Sequence, residues 1–487
     1  MKGYTISLFA GLLLATAACN DFGDMNVNPN SALSPNTASL LTGAERVVGV
    51  MNSQVGPNSY NMTPALYVQQ FSDVTYIEDS RYKTINFSYN ALYGGGTDAG
   101  PLVNLQQIID QNTSESSRGL VASYGSNGNQ IAIARILKAY IFQFITDRWG
   151  DVPYSQALKG SANFSPAFDT QQSIYTDLFK EWKAAAAQFD GGKSASGDII
   201  LGSNATRWKK FAASLRLLAA LRLSKVDPTT GKTEFNAALA DGVLASNSDN
   251  VSYTFLADAN NENPLYTNYT RSNRKDFALS NTFVNYLKKV NDPRLPVFAA
   301  PNIKGEYTGA PYAVFPAPGK AQDWSLAGSA ISAQTAPAYL MTYAQVLFAQ
   351  AEAAQLGWTS GDAKSLYEAA IKASMQQWLG SSYTDAAYTT YIAQSDVAFT
   401  SANALERIGT QRWIAQFNQG TESWNSWRRT GYPALTPAAS PLNGGTGIPR
   451  RLAYPVTETT LNATNYAAVV ARQGKDDPYT RVWWDKQ

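Results

Sequence analysis

Tyr76, Asp79, Arg81 and Tyr82 sit close together in a stretch with no helical or strand period, and Trp324 lies in a Pro- and Gly-rich stretch with few apolar neighbours. Flat rings that stack on sugars, beside a guanidinium and a carboxylate that read hydroxyls, are the chemistry of glycan contact. These five side chains are the candidate ligand residues. Aromatic residues make up 12% of the chain and 27 of them are Tyr, so the same rings could instead anchor loops through buried hydroxyls. Histidine is absent, which removes the usual general base near neutral pH and the commonest metal ligand. Neither a Ser-His-Asp triad nor a zinc-hydrolase site can be built; no catalytic residue, cofactor or metal site is assigned. A glycoside hydrolase needs two carboxylates about 5–9.5 Å apart. Asp258, Glu262 and Asp276 could supply them, but no local motif marks an acid-base pair. The pairs Trp424 with Trp427 and Trp483 with Trp484 read as core. Arg428-Arg429 and Arg450-Arg451 read as structural, ion-paired cations rather than an anion site.

Cys19 is the sole cysteine, so no disulfide or thiolate site exists beyond it. It follows an apolar run from Ile6 to Ala18 behind the basic Lys2, within the ~7–15 residues of a signal-peptide core and short of the ~20 residues of a membrane span. The small residues Thr16-Ala17-Ala18 before Cys19 resemble a lipobox, so residues 1–18 read as a lipoprotein signal peptide and Cys19 as the lipidation site; the alternative is an ordinary secretory signal with a stray cysteine. Residues 19–35, rich in Asn, Pro and Ser, read as a tether between lipid and body. With 39 Lys and Arg against 37 Asp and Glu the formal net charge is +2, which gives no electrostatic footprint for nucleic acid.

The elements that must hold the candidate residues are helical. Ile133, Leu137, Tyr140 and Phe144 recur at helical spacing, with Arg135, Lys138 and Gln143 on a narrow polar stripe, and Gly150 and Pro153 end that helix near Trp149. Leu40, Ala44, Val47 and Met51 make a first helix, closed by Gly56-Pro57. Segments 64–76 and 102–109 read as helices and 84–89 as a short strand before Gly94-Gly95-Gly96. Ile174, Leu178, Trp182, Ala185 and Phe189 form a stripe capped by Asp169. Another helix starts near Asn204, and a shorter one carries Leu279, Phe283, Tyr286 and Val290. Segments 340–356 and 362–379 form a helix pair close to a tetratricopeptide unit. Spacing between pairs is irregular, and aromatic loops at 245–276, 299–337 and 430–447 interrupt them. Loops this long in a compact body are usually functional or disordered, and their aromatic residues argue for order.

Several segments carry a family resemblance. Ala134-Arg135 through Gly150-Asp151-Val152-Pro153-Tyr154 resembles the helix and exit turn of SusD/RagB-type proteins, the nutrient-binding lipoproteins of Gram-negative outer membranes. Asn26-Val27-Asn28-Pro29-Asn30, the Ala-Glu-Ala pair at 341–358 and 367–375, the late helix at 406–432, Ile448-Pro449-Arg450-Arg451 to Pro455, and Thr480-Arg481-Val482-Trp483-Trp484 resemble further family motifs in the family's order. The resemblance implies a mostly α fold, with four tetratricopeptide-like helix pairs forming a superhelical scaffold against a loop-rich irregular half with a few short strands. Residues 36–487 would form that single domain. It also implies a lipid anchor facing the cell exterior, a SusC-like TonB-dependent transporter as partner, and an oligosaccharide or peptide as non-covalent cargo, not a substrate. Cargo residues vary within such a family, so none of the five candidates is fixed by a motif. An all-α glycoside hydrolase and a tetratricopeptide protein-binding scaffold are the competing readings.

Overall fold

The structure is a computed structural model of the full chain, described for residues 36–53, 55, 61–94 and 100–486. Cys19, the signal peptide, the tether with its Asn26–Asn30 motif, Gly56-Pro57 and Gly95-Gly96 lie outside those residues. Contacts divide the chain into two units, Met1–Asn36 and Thr37–Gln487; the second carries everything below.

That unit is mostly helical. Eight helices, α1 (Thr37–Met51), α2 (Pro101–Thr113), α3 (Asn127–Trp149), α4 (Gln171–Ala187), α5 (Ala205–Arg222), α6 (Pro228–Asp241), α7 (Tyr343–Gln355) and α8 (Ala363–Leu379), pack in succession as the pairs α1/α2, α3/α4, α5/α6 and α7/α8. Neighbouring pairs join through α2 on α3, α4 on α5 and α5 on α7. α9 (Ala404–Ala415) lies on α7, and α10 (Gly420–Thr430) on α9 and on the short helix Met62–Tyr67.

Sequence dictates these helices locally. In α3 the Ser126 hydroxyl accepts from Asn129 N–H, and Gly150 ends the helix at φ 86°, where a Cβ would lie 2.0 Å from the Gln473 carboxamide. From Asn129 onward only Ile131, Arg135 and Lys138 of α3 escape full burial, which is why its apolar residues run almost all round the helix. α5 starts beside Asn204 as expected, and the Asn204 side chain caps it by accepting from Arg207 N–H. The cap of α4 is Thr170, whose hydroxyl accepts from Ser173 N–H; Asp169 instead accepts from Tyr154 and Ser155 N–H and fixes the turn after α3.

Where α5, α7, α9 and α10 converge, the core is ionic. Glu352 of α7 pairs with Arg412 of α9 at 2.7 Å and with Arg429 of α10. Arg222 of α5 pairs with Glu422 of α10 at 2.5 Å and with Asp147 of α3 at 3.3 Å. Burial opposes ionisation of Glu352, but the two arginines outweigh it and hold its carboxyl down at about 2. The Arg-Arg sequences are thus structural: Arg450 pairs with Asp485 and Arg451 with Asp476. Arg428 donates to the backbone oxygens of Arg450 and Asp147. Trp424, Trp427 and Trp484 are buried as expected, whereas Trp483 is half-buried against Tyr175.

The irregular half is held by two-stranded antiparallel ladders. β1 (Phe71–Asp73) pairs with β5 (Phe277–Leu279), β2 (Val152–Pro153) with β3 (Phe168–Asp169), and β4 (Val251–Tyr253) with β6 (Ala338–Met341). Two expectations fail here. The helix foreseen over 64–76 stops at Tyr67, because Gln69 adopts φ 56° and the chain turns into β1. The strand foreseen over 84–89 is a single parallel bridge, Asn86 to Ala453. Among the described residues no helix is long and apolar enough to cross a membrane.

Candidate functional site

The candidate face is built outward from the β1/β5 ladder. Asp73 lies opposite Phe277, and Val74 N–H continues the pairing to Asp276 at 2.8 Å. Loop 74–82 then closes on Asp73. The Asp73 carboxylate accepts from the Ser80 N–H at 2.7 Å and from its hydroxyl at 2.9 Å, while Asp73 N–H donates back to that hydroxyl. Burial, with Asp79 and Glu78 adding to it, outweighs those hydrogen bonds and raises the Asp73 carboxyl to about 8.

On the closed loop, Tyr76 is 61% exposed, and the Arg274 guanidinium stands 5.7 Å from its ring centroid, held there by Asp276 at 2.8 Å. Arg81 donates through Nε to Ser440 O at 2.9 Å, and its guanidinium lies 5.3 Å from the ring of Phe315, itself 70% exposed. Both distances fall within the ~6 Å reach of a cation–π contact. Each ring therefore has an arginine beside it and open solvent around it. Asp79 is exposed and accepts from the Thr84 hydroxyl. Trp324 is half-buried: with Leu326 it packs on the cluster of Val74, Ala278 and Ala310, two residues from Tyr76. A Cβ on Gly319 would sit 2.9 Å from the indole, so glycine allows that approach.

Tyr76, Asp79 and Arg81 thus lie on loop 74–82, none of them fully buried, and Trp324 packs against that loop at Val74. Tyr82 does not join them. Its ring is 1% exposed, its hydroxyl accepts from Ala438 N–H at 3.1 Å and faces the Tyr312 hydroxyl at 3.5 Å, and its φ is 62°. The left-handed backbone turns this ring inward, making it an anchor of the loop and not a ligand surface. Phe315, Arg274 and Tyr312 were not foreseen. Phe315 follows Tyr312 in a Pro-rich run with few apolar partners, the same signal that singled out Trp324.

The carboxylates considered for hydrolysis are in other employment. Arg271 grips both oxygens of Glu262, at 2.6 Å each, with Thr267 and Gln334 adding bonds, and these partners hold its carboxyl down at about 2. A group so acidic carries no proton to donate near neutrality. Asp276 is taken by Arg274 and Asn268, and Asp258 is exposed and bonded to Asn261.

A SusD-like family model, described as starch-binding and associating with the outer membrane, matches residues 29–455. Among solved structures, a chitin-binding protein is 28% identical over 93% of this chain and 100% of its own, with a TM-score of 0.79. A chitin-binding SusD homolog from Flavobacterium johnsoniae is 26% identical over 92% of this chain and 99% of its own, at 0.73. A SusD homolog from Bacteroides fragilis is 25% identical over 93% and 100%, at 0.77. No match is found among curated proteins. A match over residues 29–455 spans most of the chain, and the chain belongs to the SusD-like family.

Proposed function

We propose that this protein captures a glycan at the cell surface on the face formed by Tyr76, Arg81, Arg274, Phe315 and Trp324, with Asp79 at its edge. The observation that carries this reading is the pair of exposed rings on loop segments, each set beside an arginine. Rings so placed stack on the apolar faces of pyranoses, and the guanidinium groups donate to hydroxyl or carbonyl oxygens along the chain edge. The chitin-binding relatives support an oligosaccharide over a peptide. Binding is non-covalent and releases the glycan unchanged. Cys19 carries the lipid that holds the protein to the outer membrane, facing outward, and the cargo passes to a SusC-like TonB-dependent transporter. Affinity electrophoresis through gels containing soluble chitin derivatives or starch tests the reading. Retardation by at least one polysaccharide, lost in Tyr76→Ala/Phe315→Ala, is expected; unretarded migration in both gels contradicts it. Loss of fatty-acid labelling in Cys19→Ala is the matching test of the anchor.

A further inference from the structure

A cleft of about 380 Å³, sharing no lining residue with that face, opens where α2, α3 and α4 meet the turn that leaves α3. This volume lies within the ~300–1,000 Å³ of ordinary small-ligand sites. Its polar groups come from both sides. Lys138 of α3 is half-buried, and its ammonium donates to Gln106 Oε1 of α2 at 2.9 Å. Among the described residues it forms no ion pair within 4.0 Å, so two of its three N–H donors have no protein partner. Burial pulls its pKa below the ordinary lysine range against the pull of Glu181.

Facing it on α4 are two carboxylates already held in place. Asp177 accepts from the Tyr154 hydroxyl at 2.6 Å, and Glu181 accepts from Arg135 Nε at 3.0 Å and Nη2 at 2.7 Å. Each retains lone pairs for a further donor. The Tyr154 ring, half-buried, packs T-shaped with Phe142 at a centroid distance of 4.6 Å, and both residues line the cleft. At the rim stand Leu158 and Lys159. Arg135 and Asp110 also act on Lys138, so three cations (Lys138, Lys159, Arg135) face three carboxylates (Asp177, Glu181, Asp110) at or beside the cleft, and a neutral ligand offering both donors and acceptors fits better than an ion.

We propose that this cleft is a second carbohydrate site, taking one neutral hexopyranose whose oxygens accept from Lys138 and whose hydroxyls donate to Asp177 and Glu181, with its ring against Tyr154. The choice of a sugar over another neutral polyol rests on the proposed function. A saturation-transfer difference experiment on the full chain, with N-acetylglucosamine and with glucose as probes, tests it. Signal from at least one monosaccharide is expected in the wild type and in Tyr76→Ala/Phe315→Ala. It should fall at least fivefold in Lys138→Met and in Ala157→Trp, which fills the cleft from its rim, with circular dichroism unchanged. Absence of signal from both sugars in the wild type, or signal that persists in both cleft variants, overturns the proposal. A Lys138-dependent monosaccharide signal in a protein that retains no polysaccharide would sink the proposed function and leave this site standing.

Discussion

The helical half and the loop face use the same residue types for opposite ends. In the core, arginines are consumed by carboxylates: Glu352 is gripped by Arg412 and Arg429, and Arg222 joins Asp147 to Glu422. On the face, Arg81, held by the Ser440 carbonyl, and Arg274, held by Asp276, stand beside exposed rings. Tryptophans divide likewise, with Trp424 and Trp484 fully buried and Trp324 left half-open on a small satellite cluster. An arginine or an aromatic ring is thus uninformative by type. Under the proposed function, what distinguishes a structural from a recognition role is whether a periodic partner face is available to cover it.

The sharpest way to break this contrast is to remove the carboxylate at the ionic junction. Glu352→Gln leaves two buried guanidinium groups without their counter-charge, and unfolding free energy should fall by about 3–5 kcal/mol, read by denaturant titration. Glycan affinity of the folded fraction should not change. The pH response sharpens the same point. Glu352 is held below its unfolded value of 4.5, down to about 2. Its stabilisation is therefore complete above 4.5 and is lost as pH falls through 2. Asp73 runs the other way. Its carboxyl is raised from 3.8 to about 8, so the stability linked to it is complete below 3.8 and is lost as pH rises through 8. Hydrogen exchange of loop 74–82 should accelerate across that window, and Asp73→Asn should remove the pH dependence.

Smaller effects separate anchors from contacts on the face itself. Trp324→Ala should weaken glycan binding about tenfold, since ~1.4 kcal/mol is a factor of ten. It should also lower stability by about 1–3 kcal/mol, because the half-buried indole covers Val74. Calorimetric titration and thermal melts read the two separately. Tyr82→Phe removes the acceptor for Ala438 N–H and should cost about 0.5–1.5 kcal/mol of stability, with affinity unchanged.

Helices were legible where one face repeats: Ile133, Leu137, Tyr140 and Phe144 mark α3, and Gly150 marks its end. The short helix before β1 was misread, since apolar residues from Pro64 to Val74 suit a buried helix until Gln69 turns left-handed to meet a strand some two hundred residues away. Such pairing leaves no local trace. The face was half legible for the same reason. Tyr76, Arg81 and Trp324 stood out for lacking a periodic partner, but Arg274 and Phe315 reach them only through the fold. Tyr82 looked like its neighbours in sequence, and its burial depends on Tyr312 and Ala438.

Calorimetric titration of a chitin oligosaccharide into the wild type and into Tyr76→Ala/Phe315→Ala bears most directly on the claim that this face binds the glycan. Each ring should contribute on the order of 1–1.5 kcal/mol, so a loss of affinity of about thirtyfold or more, with the melting temperature unmoved, is expected. Equal affinity in both proteins would contradict the account and move the principal site elsewhere on the molecule.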